Sequence, residues 1–193
     1  MTVRRTPGSG SAVGVSMRHV LTLALVVVLA ALAAGCGSKK PMTTAEWANG
    51  VCSAVGTWKD SLTSAAEPLK SGNVSKDSLQ TAANDVKSAT DTLQSDLKDL
   101  GKPNTQAGQQ AQDEINTLTS ELQTDVDTIK SAAEGASGVS GISSAVTTAT
   151  TTVSTMKAQV SSTVTSLKQL DPKGELNTAF KQADSCQQLT SGG

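Results

Sequence analysis

Apolar residues recur at intervals of three and four over most of residues 44–190, and this spacing constrains the fold more than any other feature of the chain. In one segment the apolar residues recur every seven positions, at Leu79, Val86, Leu93 and Leu100. A second series with the same interval comprises Ala83, Thr90 and Leu97, of which polar Thr90 is the weakest member. Such spacing is typical of an α-helix with one buried face, whereas a half-buried strand alternates. The pattern predicts an all-α protein.

Proline, glycine and capping residues divide the pattern into four long helices and a shorter C-terminal helix. We predict helices over about residues 44–67, 75–100, 104–134, 140–170 and 172–190. Pro68 is expected to end the first helix, Gly101 the second, and Asp171-Pro172 to begin the last. Short connections favour antiparallel neighbours, so the expected fold is an up-down antiparallel bundle onto which the C-terminal helix folds back. An intermolecular coiled coil would use the same heptads, but the Gly and Pro breaks favour one compact domain.

The helix predicted over residues 140–170 has the least favourable composition. Residues 147–155 are almost entirely Thr, Ser, Val and Ala, and β-branched residues cost roughly half a kcal/mol each in a helix. The apolar residues still keep the three-four interval, with one gap, from Ile142 to Leu170, and strict alternation is absent. We therefore expect a helix that is stabilised by packing rather than by propensity.

The N-terminal part differs in composition from the rest of the chain. A nearly unbroken apolar run extends from Val20 to Ala34 and follows Arg18. The run is shorter than the roughly 20 residues that cross a bilayer. A positive charge, a short apolar core and small residues are typical of a secretory signal peptide. We predict that residues 1–35 are a cleaved signal peptide, starting at Met1 or Met17, that residues 36–42 form a tether, and that residues 43–190 form the bundle.

The apolar run ends in Ala33-Ala34-Gly35-Cys36, which resembles the lipobox of bacterial lipoproteins. The sequence departs from the usual pattern because Leu32 lies four residues before the cysteine and alanine occupies the position where leucine is commonest. In that family the cysteine is acylated and becomes the first residue of the mature chain. The resemblance implies lipidation of Cys36 and an anchor in the cell membrane, on its outer face, since acyl chains contribute about 0.8 kcal/mol per buried methylene. The alternative is an ordinary signal peptide cleaved nearby, with Cys36 unmodified.

The composition of residues 36–193 excludes several classes of function. This part contains 13 lysines, 17 acidic residues and no histidine, tyrosine or arginine, so its formal charge is −4. Catalysis by Ser-His-Asp or Cys-His and zinc sites with histidine ligands are therefore excluded there. An acidic chain without arginine is also a poor candidate for nucleic-acid binding.

Acidic pairs are the remaining candidates for catalysis: Asp96 with Asp99, Asp113 with Glu114, and Asp125 with Asp127. All three pairs fall off the apolar faces, so we interpret them as part of a solvated surface. No calcium-loop pattern is present. The sequence thus predicts no catalytic residue, no cofactor and no metal site.

Two cysteines remain beyond Cys36, namely Cys52 and Cys186. Outside the cytoplasm two thiols in one domain usually form a disulfide, and the predicted topology brings these two to the same end of the bundle. The alternative is a redox pair, but such pairs are usually close in sequence, as in C-x-x-C. We predict a structural disulfide.

Both ends of the predicted domain carry recognisable stretches: EWANGVC at residues 46–52 with Trp58 behind it, Glu175-Leu176 with Ala179-Phe180, and Ser185-Cys186. Together they resemble small secreted lipoproteins of actinobacteria, a group of uncharacterised helical proteins. The resemblance supports the Cys52–Cys186 pairing and an exported location. It implies no activity.

The sequence favours a lipid-anchored extracytoplasmic protein that acts as a non-catalytic binding or structural module, with Trp47 and Trp58 as core residues rather than ligand-stacking surfaces. The alternative is a carrier of a lipid or other apolar ligand in a cavity between helices. Small residues that would leave space for such a cavity are Ala82, Ala83, Ala89, Ala145 and Ala149. An enzyme that uses carboxylates is the least favoured function.

Overall fold

The computed structural model describes residues 42–70, 74–172 and 174–191. The described backbone forms six helices and no strand, so the predicted all-α helical bundle is confirmed. The helices are α1 (Thr44–Lys70), α2 (Lys76–Leu100), α3 (Gly108–Gly135), α4 (Gly138–Gln169), α5 (Glu175–Gln182) and α6 (Asp184–Ser191).

The predicted signal peptide, Cys36 and the tether up to Pro41 lie outside the described residues. Among the residues that are described, no helix combines the length and the hydropathy that crossing a membrane requires.

Helices α1 and α2 run antiparallel, as their connecting hydrogen bonds demonstrate. Trp47 Nε1 near the start of α1 donates to the carbonyl oxygen of Gly101, just after the end of α2, at 2.8 Å. Further along α1, Trp58 Nε1 donates to Thr90 Oγ1, which lies earlier in α2, at 3.2 Å. Thr90 is fully buried and supplies the acceptor that a buried indole N–H requires. The weakest member of the apolar series therefore has a specific structural role.

The same relation holds between α2 and α3. Lys76 Nζ at the start of α2 donates to the carbonyl oxygen of Glu134 at 2.9 Å, and Gln94 Nε2 donates to that of Thr119 at 3.1 Å. Helix α4 packs against α3 and α1, which completes the four-helix bundle, while α5 and α6 pack against α1.

This topology gives the bundle two distinct ends. The Met42 end contains the beginning of α1, Gly101 and Leu170, and α5 and α6 lie there as well. The Val74 end contains Val74 and the short connection between α3 and α4. Helix α1 has 27 residues, so the two ends are about 40 Å apart at 1.5 Å per residue.

The predicted apolar faces form the core. The buried residues of α1 include the five predicted there, namely Trp47, Val51, Val55, Trp58 and Leu62. Those of α3 include all six predicted there, namely Ala111, Ile115, Leu118, Leu122, Val126 and Ile129. The segment with the least favourable composition, predicted as a helix over residues 140–170, is a continuous helix, α4. Met156, Val160 and Leu167 are among its buried residues.

Three predicted helix boundaries are wrong. Helix α1 continues past Pro68 to Lys70, because a proline in the final turn removes only one backbone donor and Leu69 packs against the core. Helix α5 begins at Glu175 rather than at Pro172. The Gly174 amide donates to the Asp171 carbonyl oxygen at 3.2 Å, so Asp171 and Pro172 belong to a turn.

Helix α3 begins at Gly108 rather than at residue 104. The Thr105 amide donates to the carbonyl oxygen of Pro103 at 2.9 Å and the Gly108 amide to that of Thr105 at 3.0 Å, which makes tight turns before the helix. A Cβ atom on Gly108 would collide with the Pro103 carbonyl oxygen, so this turn requires glycine.

The C-terminal segment, predicted as one short helix, forms two. The chain is extended at Ala183, with φ −70° and ψ 120°. The Ala183 carbonyl oxygen accepts hydrogen bonds from the amides of Cys186 and Gln187, both at 3.1 Å, which starts α6. The change of direction places Cys186 against α1.

Candidate functional site

An apolar cavity of about 150 Å³ lies between the four long helices, toward the Val74 end. Its deepest lining consists of Leu62, Leu79 and Ile129, each no more than 2% exposed. Five alanines leave the space, namely Ala65, Ala66, Ala82, Ala83 and Ala149. Three of these, Ala82, Ala83 and Ala149, are alanines that the sequence marked for a cavity, whereas Ala89 and Ala145 do not line it.

The polar part of the lining comes from one face of α4. Thr150, Ser154 and Lys157 follow one another at intervals of four and three, which places them on the same side of the helix. Thr150 and Ser154 are exposed, so this face forms the mouth of the cavity. The Thr150 hydroxyl donates to the Val146 carbonyl oxygen at 2.8 Å and the Ser154 hydroxyl to that of Thr150 at 3.0 Å. Both hydroxyl protons are therefore used within the helix.

Lys157 is the charged residue of this lining and is half-buried. Helix α4 contains no acidic residue that could pair with it. Within the described ranges the ion pairs are Lys70 with Glu67 and Lys87 with Asp91. The Lys157 ammonium therefore has no carboxylate at ion-pair distance in the part of the chain that the structure covers.

The size of the cavity limits what it can hold. Pockets for drug-sized ligands usually measure about 300–1,000 Å³, and this one is about half the lower figure. An engineered apolar cavity of about 150 Å³ in another protein binds benzene. The space fits one alkyl chain of medium length or one small ring, and a diacyl lipid exceeds it.

A second, wider depression runs between α1 and α2 and has a volume of about 540 Å³. Its polar lining includes Asp60, Asp85 and Asp96 together with several hydroxyls. No group of three histidine, cysteine or acidic side chains in the described ranges is close enough to hold a metal ion. This depression is a solvated acidic surface.

The aromatic side chains belong to the core. Trp47, Trp58 and Phe180 are each no more than 2% exposed. The rings of Trp47 and Phe180 meet edge to face, with centroids 5.9 Å apart and an interplanar angle of 85°. The predicted core role of both tryptophans is confirmed, and their rings offer no exposed stacking surface to a ligand.

Cys52 and Cys186 lie at disulfide distance, with Cα atoms 5.0 Å apart, although they are 134 positions apart in sequence. Both are buried. One residue before Cys186, the Ser185 hydroxyl lies 2.8 Å from both the backbone and the side-chain oxygen of Asn49. The structure therefore brings together the two cysteines that the sequence paired, and hydrogen bonds reinforce the junction of α6 with α1.

Asp125 on α3 faces Gln159 on α4. Asp125 Oδ2 and Gln159 Oε1 are both buried, and neither has a hydrogen-bond partner in the described ranges. Burial raises the pKa of Asp125 above its usual value, the Gln159 side-chain amide beside the carboxyl lowers it in part, and the charge of Glu121 raises it further. Asp96, Asp99, Asp113 and Asp127 are exposed, as expected of a solvated surface, whereas Asp125 and Glu114 are half-buried.

The raised pKa makes ionised Asp125 a cost to the folded state at neutral pH, because the native protein binds its proton more tightly than the unfolded chain. Asp125→Asn is therefore expected to raise the melting temperature at pH 7 by about 2–4 °C, as a neutral amide needs less solvation and can donate to Gln159 Oε1. The gain should shrink as the pH falls toward about 4, because the wild-type carboxyl takes up its proton at a higher pH in the folded protein than in the unfolded chain. Calorimetry at both pH values tests this, with the exposed neighbour Asp127→Asn as control; a gain that is the same at both pH values contradicts it.

Sequence reasoning missed Lys157 and the Asp125–Gln159 contact. The environment of each depends on the side chains that a neighbouring helix places beside it. The spacing of residues along a single helix does not indicate which side chains those are. One signal for Lys157 was available, since it is the only charge in the middle of a long helix without acids.

Comparisons with known proteins add no relative: no protein-family model matches the chain, and neither a curated protein nor a solved structure is significantly similar to it. The likeness to small secreted lipoproteins of actinobacteria stays a prediction.

Proposed function

We propose that this protein is a lipid-anchored, non-catalytic binding module at the outer face of the cell membrane. The main support is the Cys52–Cys186 pair, which is buried and at disulfide distance although 134 positions separate its members. Structural disulfides persist in oxidising compartments and are rare in the cytosol. A disulfide fits an exported protein, in agreement with the predicted signal peptide and the lipobox that ends at Cys36.

The chemistry of the domain supports a role without catalysis. The described residues bear no histidine, and their tryptophans and their phenylalanine are in the core. The acidic residues predicted as surface groups are mostly exposed, and the described ranges contain no metal-binding cluster. A surface of this kind supports binding to a ligand or assembly with another protein rather than catalysis.

An anchor at Cys36 would keep one end of the bundle near the membrane. Met42 lies six positions after Cys36, and at about 3.5 Å per position this stretch reaches at most about 20 Å. The Met42 end would then stay within that distance of the anchor, and the apolar cavity lies toward the opposite, Val74 end of the bundle.

A carrier of an apolar ligand is the second candidate function, and the cavity between the four long helices favours it. Its volume of about 150 Å³ restricts the cargo to a small or single-chain molecule. Exchange of whole membrane lipids is disfavoured because a diacyl lipid does not fit.

The anchor is tested by comparing the wild-type protein with a Cys36→Ser variant, both expressed in a bacterium that processes lipoproteins. We expect mass spectrometry of the wild type to show a mature chain that begins at acylated Cys36 and partitions into detergent. The variant should lose both properties, because the serine hydroxyl does not accept the lipid. Ser38→Ala, two residues away, serves as the matched control. Wild-type protein with an unmodified Cys36, or a variant that fractionates with membranes like the wild type, would contradict the proposal.

A further inference from the structure

We propose that the cavity between α1, α2, α3 and α4 binds the anion of a medium-chain fatty acid, whose alkyl chain fills the space and whose carboxylate pairs with Lys157. The inference deepens the proposed binding function by giving it a ligand class. Its test does not depend on the state of Cys36, so failure of the ligand and failure of the anchor are distinguishable.

The shape of the cavity fits one alkyl chain. Its lining extends along α1 from Leu62 to Leu69 and along α2 from Leu79 to Val86. Each of these stretches rises about 10 Å at 1.5 Å per residue. A space of about 150 Å³ whose lining extends about 10 Å along two helices can hold a single chain of medium length along the bundle axis. The walls are alanine, leucine, valine and isoleucine, with no polar group at the deep end to orient a polar ligand.

The charge at the cavity fits an acid. Lys157 is half-buried and has no carboxylate at ion-pair distance in the described ranges, and its own helix has no acidic residue. Attraction between opposite charges is stronger at such a site than at a fully solvated surface. A carboxylate head beside an apolar tail satisfies both parts of the lining at once. A neutral alcohol would satisfy the tail only, and an amine would be repelled.

The full chain carrying Cys36→Ser is the protein for the test, because without acyl chains on residue 36 it carries no lipid tail that could itself compete for the cavity. Titration calorimetry compares octanoate, octanol and octylamine, which share one tail and differ in head charge. We expect octanoate to bind about tenfold more tightly than octanol, because a hydrogen bond between charged groups is stronger than one to a neutral hydroxyl. Octylamine should bind least. Between hexanoate and octanoate the affinity should rise about fourfold per added methylene.

Four variants on the same background assign the site. Lys157→Met keeps the apolar stem and should reduce octanoate affinity about tenfold, to that of octanol. Lys168→Met, on the same helix but at the Met42 end, should leave all affinities unchanged. Ala83→Leu should abolish binding of every probe because the added side chain occupies the cavity. Ala66→Leu should also abolish binding, and its half-buried position leaves more room for a larger side chain. Circular dichroism verifies that each variant is folded.

Equal affinities for octanoate and octanol in the wild-type cavity would overturn the role of Lys157. The absence of saturable binding by any probe would overturn the ligand assignment as a whole. Binding that persists at full strength in a folded Ala66→Leu or Ala83→Leu variant would show that the probes bind elsewhere and would also overturn it.

Discussion

Replacing Cys52 and Cys186 together with alanine is expected to lower the free energy of unfolding by about 5 kcal/mol. The two residues are 134 positions apart, so their bond removes a large part of the conformational entropy of the unfolded chain. Alanine suits both sites because both are buried among apolar groups. Urea denaturation followed by far-ultraviolet circular dichroism measures the loss.

Reduction of the wild-type protein is the matched control for this variant. A thiol reductant should lower the wild-type midpoint to nearly that of the double variant and should leave the variant unchanged. The replacement of Ser53, which neighbours Cys52 but is exposed, by alanine should have little effect in either condition. A wild-type midpoint that does not respond to the reductant would show that the disulfide is not formed in the native protein.

Trp47→Ala is expected to destabilise the domain by about 3–5 kcal/mol, the usual cost of deleting a large buried aromatic ring. Trp47 is 1% exposed, contacts Phe180 of α5 edge to face and donates to the Gly101 carbonyl oxygen. One side chain therefore joins α1 to the end of α2 and to the C-terminal helices. Thermal and urea unfolding measure the cost, and near-ultraviolet circular dichroism reports the environment of the remaining aromatic rings.

Trp47→Phe separates the two contributions. Phenylalanine keeps a ring against Phe180 but has no N–H for Gly101, so the expected loss is smaller, about 1–2 kcal/mol. Since Trp47 and the disulfide both attach the C-terminal helices to α1, their effects should not add fully when combined. A Trp47→Ala variant as stable as Trp47→Phe would show that packing of this ring contributes little.

The bundle was predictable because the spacing of apolar residues along each single helix indicates which of its faces is buried. The three-four interval identified the buried faces of α1 and α3 residue by residue. It also identified α4 correctly against an unfavourable composition. Threonine hydroxyls along α4 donate to carbonyl oxygens four residues earlier, as Thr147 does to Ser143 and Thr148 to Ser144. These groups are accommodated on the exposed side while Ala145 and Ala149 pack inside.

Helix boundaries were less predictable because each depends on one or two local contacts or hydrogen bonds. The start of α3 depends on the close approach of Gly108 to the Pro103 carbonyl group. The division between α5 and α6 depends on one extended residue, Ala183, and on hydrogen bonds between Ser185 and Asn49. Composition favours a helix on both sides of that point, so the sequence alone does not reveal the interruption.

The candidate site was predictable in part. Several alanines of the cavity follow from their small size, and the pairing of Cys52 with Cys186 follows from the topology. The absence of a carboxylate beside Lys157 in the described ranges could not be predicted in this way. It depends on which side chains the other helices place near α4. The role of Thr90 was hidden for the same reason: its partner, Trp58, belongs to α1.

The positions of the two cysteines also determine how the molecule would respond to mechanical pulling. Cys52 lies within the first turns of α1 and Cys186 within the last helix. A force applied between the two chain termini would pass from the first residues of α1 through the sulfur–sulfur bond to the last residues of α6. The residues between the cysteines would bear almost none of this load, so a tethered molecule would keep its bundle folded under stretching that unravels an unlinked one.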